Sequence, residues 1–356
     1  MKKILKTAIS LLLICTTLLL TGCSGGYREE RSSRKDREIV AKIGKFEIKY
    51  ELVRALFHTV KGDVDGGDET LWTSDKADEY FAQAMKKVEE YLLSIYGTFA
   101  YAKSIGIDPY GREIDKMIDA YVKTDIDGGY INGTQIQGYG SKDAYLETLA
   151  KYYYTDSANR MMYRYTAVTS KIHDYYTQTF ADGSISINET VLREFLLGPD
   201  VIHVHWVQRE KTAEFTDEQW DTHMEEEVRA QLLKYQGSVE VLDAVRRLTI
   251  YLPEGNMQNG FYLTQNTTGP QYQHLIEVAK WLSPYEVSEV VIAGGIHYVL
   301  VGMERDTNVL SSSSGLSQVT QLYLEYRMYN AIEEAHTNFQ VEYTNAFDKY
   351  QNTILK

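Results

Sequence analysis

The chain has 356 residues, is 44% hydrophobic and 24% charged, and carries a formal net charge of −13. The length suits two domains, and the hydrophobic share is enough for packed cores and excludes global disorder. The acidic balance excludes nucleic acid as a partner, which needs a basic patch. Only two cysteines are present, too few for a disulfide framework, so stability must come chiefly from packing.

In chain order, Lys2, Lys3 and Lys6 precede an apolar run from Ala8 to Leu20, followed by Thr21, Gly22 and Cys23. Charged, apolar, then small is the order of a secretory signal. The run is shorter than the ~20 residues of a comfortable membrane span. Leu20-Thr21-Gly22-Cys23 resembles the lipobox of bacterial lipoproteins. That resemblance implies cleavage before Cys23 and lipidation of its thiol and amine, with Cys15 leaving in the signal. The mature chain is then extracytoplasmic, anchored by lipid to the outer face of a cell membrane, with a Gram-positive host expected. Residues 24–37 are polar and of mixed charge and read as a flexible tether.

A strand is expected over Ile39–Ile43, a turn at Gly44-Lys45, a second strand at Phe46–Ile48, then a helix to Phe57. Lys61 to Thr73 reads as a loop. Phe81, Ala84, Val88, Leu92, Ile95 and Phe99 fall at helical spacing, so Ala77 to Ile105 is expected to be a long helix. A helix over 112–123 follows, then a glycine-rich excursion over 125–139 that suits a hairpin. Helices over 141–154 and 155–180 are dense in tyrosine and methionine. They read either as the core of a helical domain or as an adaptable surface for unfolded chains. Asn188 caps a short helix.

From Pro199 the pattern alternates: a strand over 201–208, helices over 216–235 and 238–248, a strand at 260–263, a helix over 272–281, and a closing hairpin of 290–292 with 297–303. The order β-α-α-β-α-β-β is that of a small α+β domain. Ser311 to Gly315 reads as a linker, 318–339 as a long helix and 340–343 as a last strand. Asp63–Glu69 and Asp125–Gly129 look like calcium loops, but glycine stands fifth in each and not sixth, which breaks the EF-hand rule. No metal and no cofactor is expected.

Several stretches carry a family signature. Gly260-Phe261-Tyr262, Pro270-Gln271-Tyr272, Glu286-Val287-Ser288-Glu289 and Gly295-Ile296-His297-Tyr298 follow one another, and Val204-His205-Trp206-Val207 opens the domain. Their order and spacing resemble a parvulin peptidyl-prolyl isomerase domain. The flanking helices and strands resemble foldases of the PrsA and SurA type. The resemblance implies an α+β architecture: a helical, SurA-N-like chaperone domain built from both chain ends (38–199 and 306–356) carrying an inserted parvulin-like domain (200–305), after a signal (1–22) and tether (23–37).

The resemblance also implies site residues. His205 and His297 match a pair of hydrogen-bonded histidines under a proline cup, and Tyr272 matches the aromatic floor of that cup. Tyr251 is the nearest match to the Cys or Asp beside the substrate carbonyl. Phe261, Asn259 and Thr268 fall where the cup is lined, Asn259 and Thr268 in place of apolar residues. Two readings follow: a lipid-anchored foldase for newly secreted or unfolded polypeptides with X-Pro isomerase activity, or a non-catalytic chaperone or scaffold with a degenerate domain. A homodimer is compatible with both, and the membrane is reached through Cys23.

Overall fold

The structure is a computed structural model that describes residues 33–356 apart from 132, 182, 184–186, 250–259, 268, 269, 294, 352, 353, 355 and 356. The expectations placed on Cys23, Tyr251, Asn259 and Thr268 lie outside the described residues. The chain is α+β, with three small sheets among the helices of the described residues. Its contacts divide it into two units: one runs to Tyr175 and resumes at Asn330, the other is Tyr176–Tyr329. No helix among the described residues is long and apolar enough to cross a membrane.

In the first unit, β1 (Ile39–Ile43) pairs antiparallel with β2 (Phe46–Lys49) and, on its other side, with β9 (Glu342–Tyr343). The helices are α1 (Tyr50–Asp65), α2 (Ala77–Ser104), α3 (Arg112–Asp127), α4 (Lys142–Lys151) and the first part of α5 (Asp156–Ala181). A hairpin of β3 (Gly129–Ile131) and β4 (Thr134–Ile136) occupies the glycine-rich excursion. The segment read as a loop after Lys61 is more ordered than expected. Helix α1 continues to Asp65, whose carboxylate accepts from Lys61 Nζ (2.7 Å), Trp72 Nε1 (2.6 Å) and the Gly67 amide (2.7 Å). One buried carboxylate satisfying three donors fixes the turn into a 3-10 helix at Glu69–Thr73, capped by Asp68.

Helix α2 contributes much of this unit's core: Val88, Leu92, Ile95, Tyr96 and Phe99 are all buried. Gly97 sits on the same helix because the ring of His336 lies against its Cα; a Cβ there would overlap the imidazole. His336 ends a long helix, α11 (Ser313–His336). This helix begins inside the serine run read as a linker, where Gly315 admits the Val309 carbonyl that a side chain would displace.

The second unit begins with α6 (Glu189–Leu197), and its centre is a four-stranded antiparallel sheet of order β6-β5-β8-β7, made of β5 (Val201–Glu210), β6 (Phe261–Thr264), β7 (Val287–Ala293) and β8 (Ile296–Gly302). One face packs against α7 (Asp217–His223), a π-helical turn (Met224–Arg229), α8 (Ala230–Leu233) and α9 (Glu240–Leu248). The other packs against α10 (Pro270–Ala279). Thr216 and Gln219 close a reciprocal capping box that starts α7, and Pro270 opens α10 where its missing N–H costs nothing. The unit extends beyond 200–305. Leu192, Phe195 and Leu196 of α6 form one apolar cluster with Val201, Val309, Leu310 and Val319, which ties both flanks to the sheet domain.

Gly97→Ala should lower the unfolding free energy by about 1–3 kcal/mol, because the added methyl must displace the His336 ring; a urea midpoint equal to that of the parent chain would contradict the close approach. Burial holds the imidazoles of His58 and His336 down to about 4. Protons that the unfolded chain binds below about 6.5 are then refused by the folded one, so stability falls as pH drops from about 6.5 to about 4. Burial of Asp125 raises its carboxyl to about 6, which opposes part of that loss. Urea unfolding across this range should show the decline, and His58→Gln should shallow it.

Candidate functional site

The pairing of β5 with β8 sets the geometry. Val204 lies opposite Gly302, His205 opposite Val301, Trp206 opposite Leu300, and the register runs on to Arg209 opposite His297 and Glu210 opposite Ile296. Paired residues point to one face and successive residues to opposite faces. His203, His205, Val207 and Arg209 therefore share a face with His297, Val299 and Val301, the face covered by α7 to α9. Val204, Trp206, Gln208 and Glu210 share the other face with Ile296, Tyr298 and Leu300, the face covered by α10.

His205 and His297 thus stand on neighbouring strands and on one face. They are four register positions apart, about 13 Å along the strand. His205 is buried, and its Nδ1 accepts from the Trp206 amide at 2.9 Å. His297, also buried, is bonded through Nε2 to the Asp221 carboxylate of α7 at 2.9 Å. The ring of Trp220 meets His297 edge to face with centroids 6.3 Å apart. His297 Nδ1 and Trp220 Nε1 are buried and have no hydrogen-bond partner among the described residues. Each imidazole is held by its own neighbours, and the two are not brought together.

Tyr272 and Phe261 lie across the sheet from the imidazoles, in the apolar cluster under α10. There Trp206 stacks on Phe261 with centroids 3.5 Å apart and planes within 5°. Tyr272 stands 6.4 Å from Trp206 and tilted, and Tyr298 6.3 Å away and edge on. Trp206 and Tyr298 are buried, whereas Phe261 and Tyr272 are only half-buried. The Trp206 indole N–H donates to Gln208 Oε1 at 3.3 Å. The result is a platform of four rings, two open at the surface and two behind them. His205 reaches it only at its edge, with its ring 6.1 Å from that of Phe261.

Sequence reasoning missed Trp206 and Tyr298. Both were within reach of strand alternation: Trp206 follows His205 and Tyr298 follows His297, so each aromatic must face away from the histidine before it. Burial, then Tyr272, then Glu210 raise the Tyr298 phenol above its ordinary value. No group of three or more His, Cys, Asp or Glu among the described residues is arranged to hold a metal.

No family model matches the sequence, and no curated protein matches it. Among solved structures the chain is similar to PrsA from Bacillus subtilis, at 15% identity over 85% of this chain and 91% of that one, with a TM-score of 0.25. It is similar also to the foldase protein PrsA from Streptococcus pneumoniae, at 11% identity over 88% and 98%, TM-score 0.25, and to the foldase protein PrsA from Lactococcus lactis, at 9% identity over 90% and 99%, TM-score 0.25. At that TM-score the likeness carries no argument for this chain.

The packing has a measurable consequence. Trp206→Ala should lower the unfolding free energy by about 3–5 kcal/mol, the cost of emptying a buried aromatic site. Asp221→Ala, which removes a half-exposed hydrogen-bond partner of His297, should cost about 1 kcal/mol. Chemical denaturation distinguishes the two; equal losses would contradict the placement of the rings.

Proposed function

We propose that the chain is a lipid-anchored extracytoplasmic foldase that binds unfolded secreted polypeptides, with the four-stranded sheet unit as a binding domain for extended, proline-containing segments. The observation that carries this reading is the platform of Trp206, Phe261, Tyr272 and Tyr298, with Phe261 and Tyr272 half-exposed. A proline ring is compact and apolar, and it fixes the backbone φ. It lies against aromatic faces at little entropic cost. The anchoring part of the reading rests on Lys2, Lys3 and Lys6, the apolar run and the Leu-Thr-Gly-Cys ending at Cys23.

The second reading is catalysis of X-Pro isomerisation, favoured by the motif resemblance and by the shared face of His205 and His297. An amide resists twisting by ~18–20 kcal/mol, and a catalyst must bind the twisted amide better than either planar isomer. Polar groups would have to converge on that amide beside the proline platform. The imidazoles instead stand apart from each other and across the sheet from Tyr272. Binding without catalysis is the reading that this geometry favours.

The test uses the mature chain and a reduced, unfolded secreted protein that aggregates on dilution. Wild type should suppress the aggregation. Phe261→Ala with Tyr272→Ala should weaken suppression several-fold, and His297→Ala should leave it unchanged. Suppression that survives loss of both rings would overturn the platform as the binding surface. In a protease-coupled proline-peptide assay, exchange should stay at its uncatalysed scale of tens of seconds or more; acceleration abolished by His297→Ala would establish the second reading.

A further inference from the structure

The platform carries a charge at its rim that the proposed function does not use. Glu210 lies on the platform's face of β5, two residues beyond Gln208 and opposite Ile296. It is exposed. Tyr298 stands on the same face opposite Gln208, so Glu210 is its diagonal neighbour across the strand pair, and Tyr272 packs in the same apolar cluster as Tyr298. No counter-ion is committed to Glu210 among the described residues. The neighbouring cations are engaged elsewhere: Arg209 donates to the Gln208 carbonyl at 2.9 Å and to the Leu248 carbonyl, and Lys211 pairs with Asp217. Neither Tyr272 nor Tyr298 has a hydrogen-bond partner among the described residues.

We propose that Glu210, Tyr272 and the Tyr298 hydroxyl form a subsite for a cationic side chain, lysine or arginine, of an extended polypeptide whose neighbouring proline or apolar residue lies on Phe261, the ring that Trp206 backs. The inference rests on the polypeptide-binding reading and gives it a substrate class. The chemistry matches on each count. A carboxylate neutralises the charge, phenol oxygens accept hydrogen bonds from an ammonium or guanidinium, and aromatic faces attract a cation through their negative π surface. The net charge of −13 adds a long-range attraction that draws basic segments in and turns acidic ones away. Glu210 thereby acts as the residue that sets specificity, while the rings supply the apolar contact.

The test is a calorimetric titration of the mature chain with three N-acetylated, C-amidated peptides, Ala-Xaa-Pro-Phe-Ala, in which Xaa is Lys, norleucine or Glu. The lysine peptide should bind about three- to ten-fold tighter than the norleucine peptide, the range that an exposed cation–π contact with a carboxylate supplies, and the Glu peptide should bind weakest. Raising the salt concentration should shrink the difference. Glu210→Gln, an exposed and nearly isosteric change, should erase the lysine preference and leave the norleucine peptide unaffected. Equal binding of the lysine and norleucine peptides, or a preference that persists in Glu210→Gln, would overturn the subsite while leaving the polypeptide-binding reading in place. Failure of all three peptides to bind would overturn that reading and the subsite with it.

Discussion

The antiparallel pairing of β5 with β8 is the constraint on which the second unit depends. Its register runs without a break from Val204–Gly302 to Glu210–Ile296. Because side chains alternate, a slip of one residue would exchange every inward group for an outward one. The pairing therefore decides that His205 and His297 share the α7–α9 side, and that Trp206 and Tyr298 share the α10 side. Strand β7 joins through a bulge: three steps from Val287 to Val290 match two from Val301 to Val299. Ser288 Oγ accepts the Leu300 amide at that point, which keeps a buried donor satisfied where the ladder is interrupted.

From that register follows a division of labour between faces. The α7–α9 face is a conventional apolar core of Val207, Met224, Val228, Leu232, Val241, Val299 and Val301. The imidazoles lie at intervals along it, each with its own local contacts. The α10 face adds the four rings to its aliphatics, and its end at Phe261, where β6 begins opposite Val204, is only half-buried. Aromatic residues suit such an open end, since they offer a large apolar area while fixing few rotatable bonds. This asymmetry is what the proposed binding of an extended chain rests on.

Much of the fold was legible. The i, i+3, i+4 spacing of Val88, Leu92, Ile95 and Phe99 specified α2, the Asn188 cap specified α6, and alternation specified β5. These signals are local, which is why a single sequence carries them. The turn after Lys61 looks like a loop in sequence because its order comes from one buried carboxylate, Asp65, collecting donors from residues that look unremarkable one at a time. Ser313 and Ser314 were read as linker because serine is a poor helix former, and packing around Val309 and Val319 overrides that preference. At the site, the motif order located the strands, but the faces depend on the register of β5 against a strand almost a hundred residues away. That register is tertiary information. The alternation within the strand still sets Trp206 opposite in sense to His205.

The central claim is that an extended proline segment rests on the α10 face and not beside the imidazoles. Two-dimensional NMR of the labelled mature chain, titrated with a neutral proline-containing peptide, tests it most directly. The account predicts that the indole of Trp206 and the ring protons of Phe261 and Tyr272 shift with a common affinity while the imidazole signals of His205 and His297 stay in place. Shifts centred on the two imidazoles, with the Trp206 indole unmoved, would contradict it.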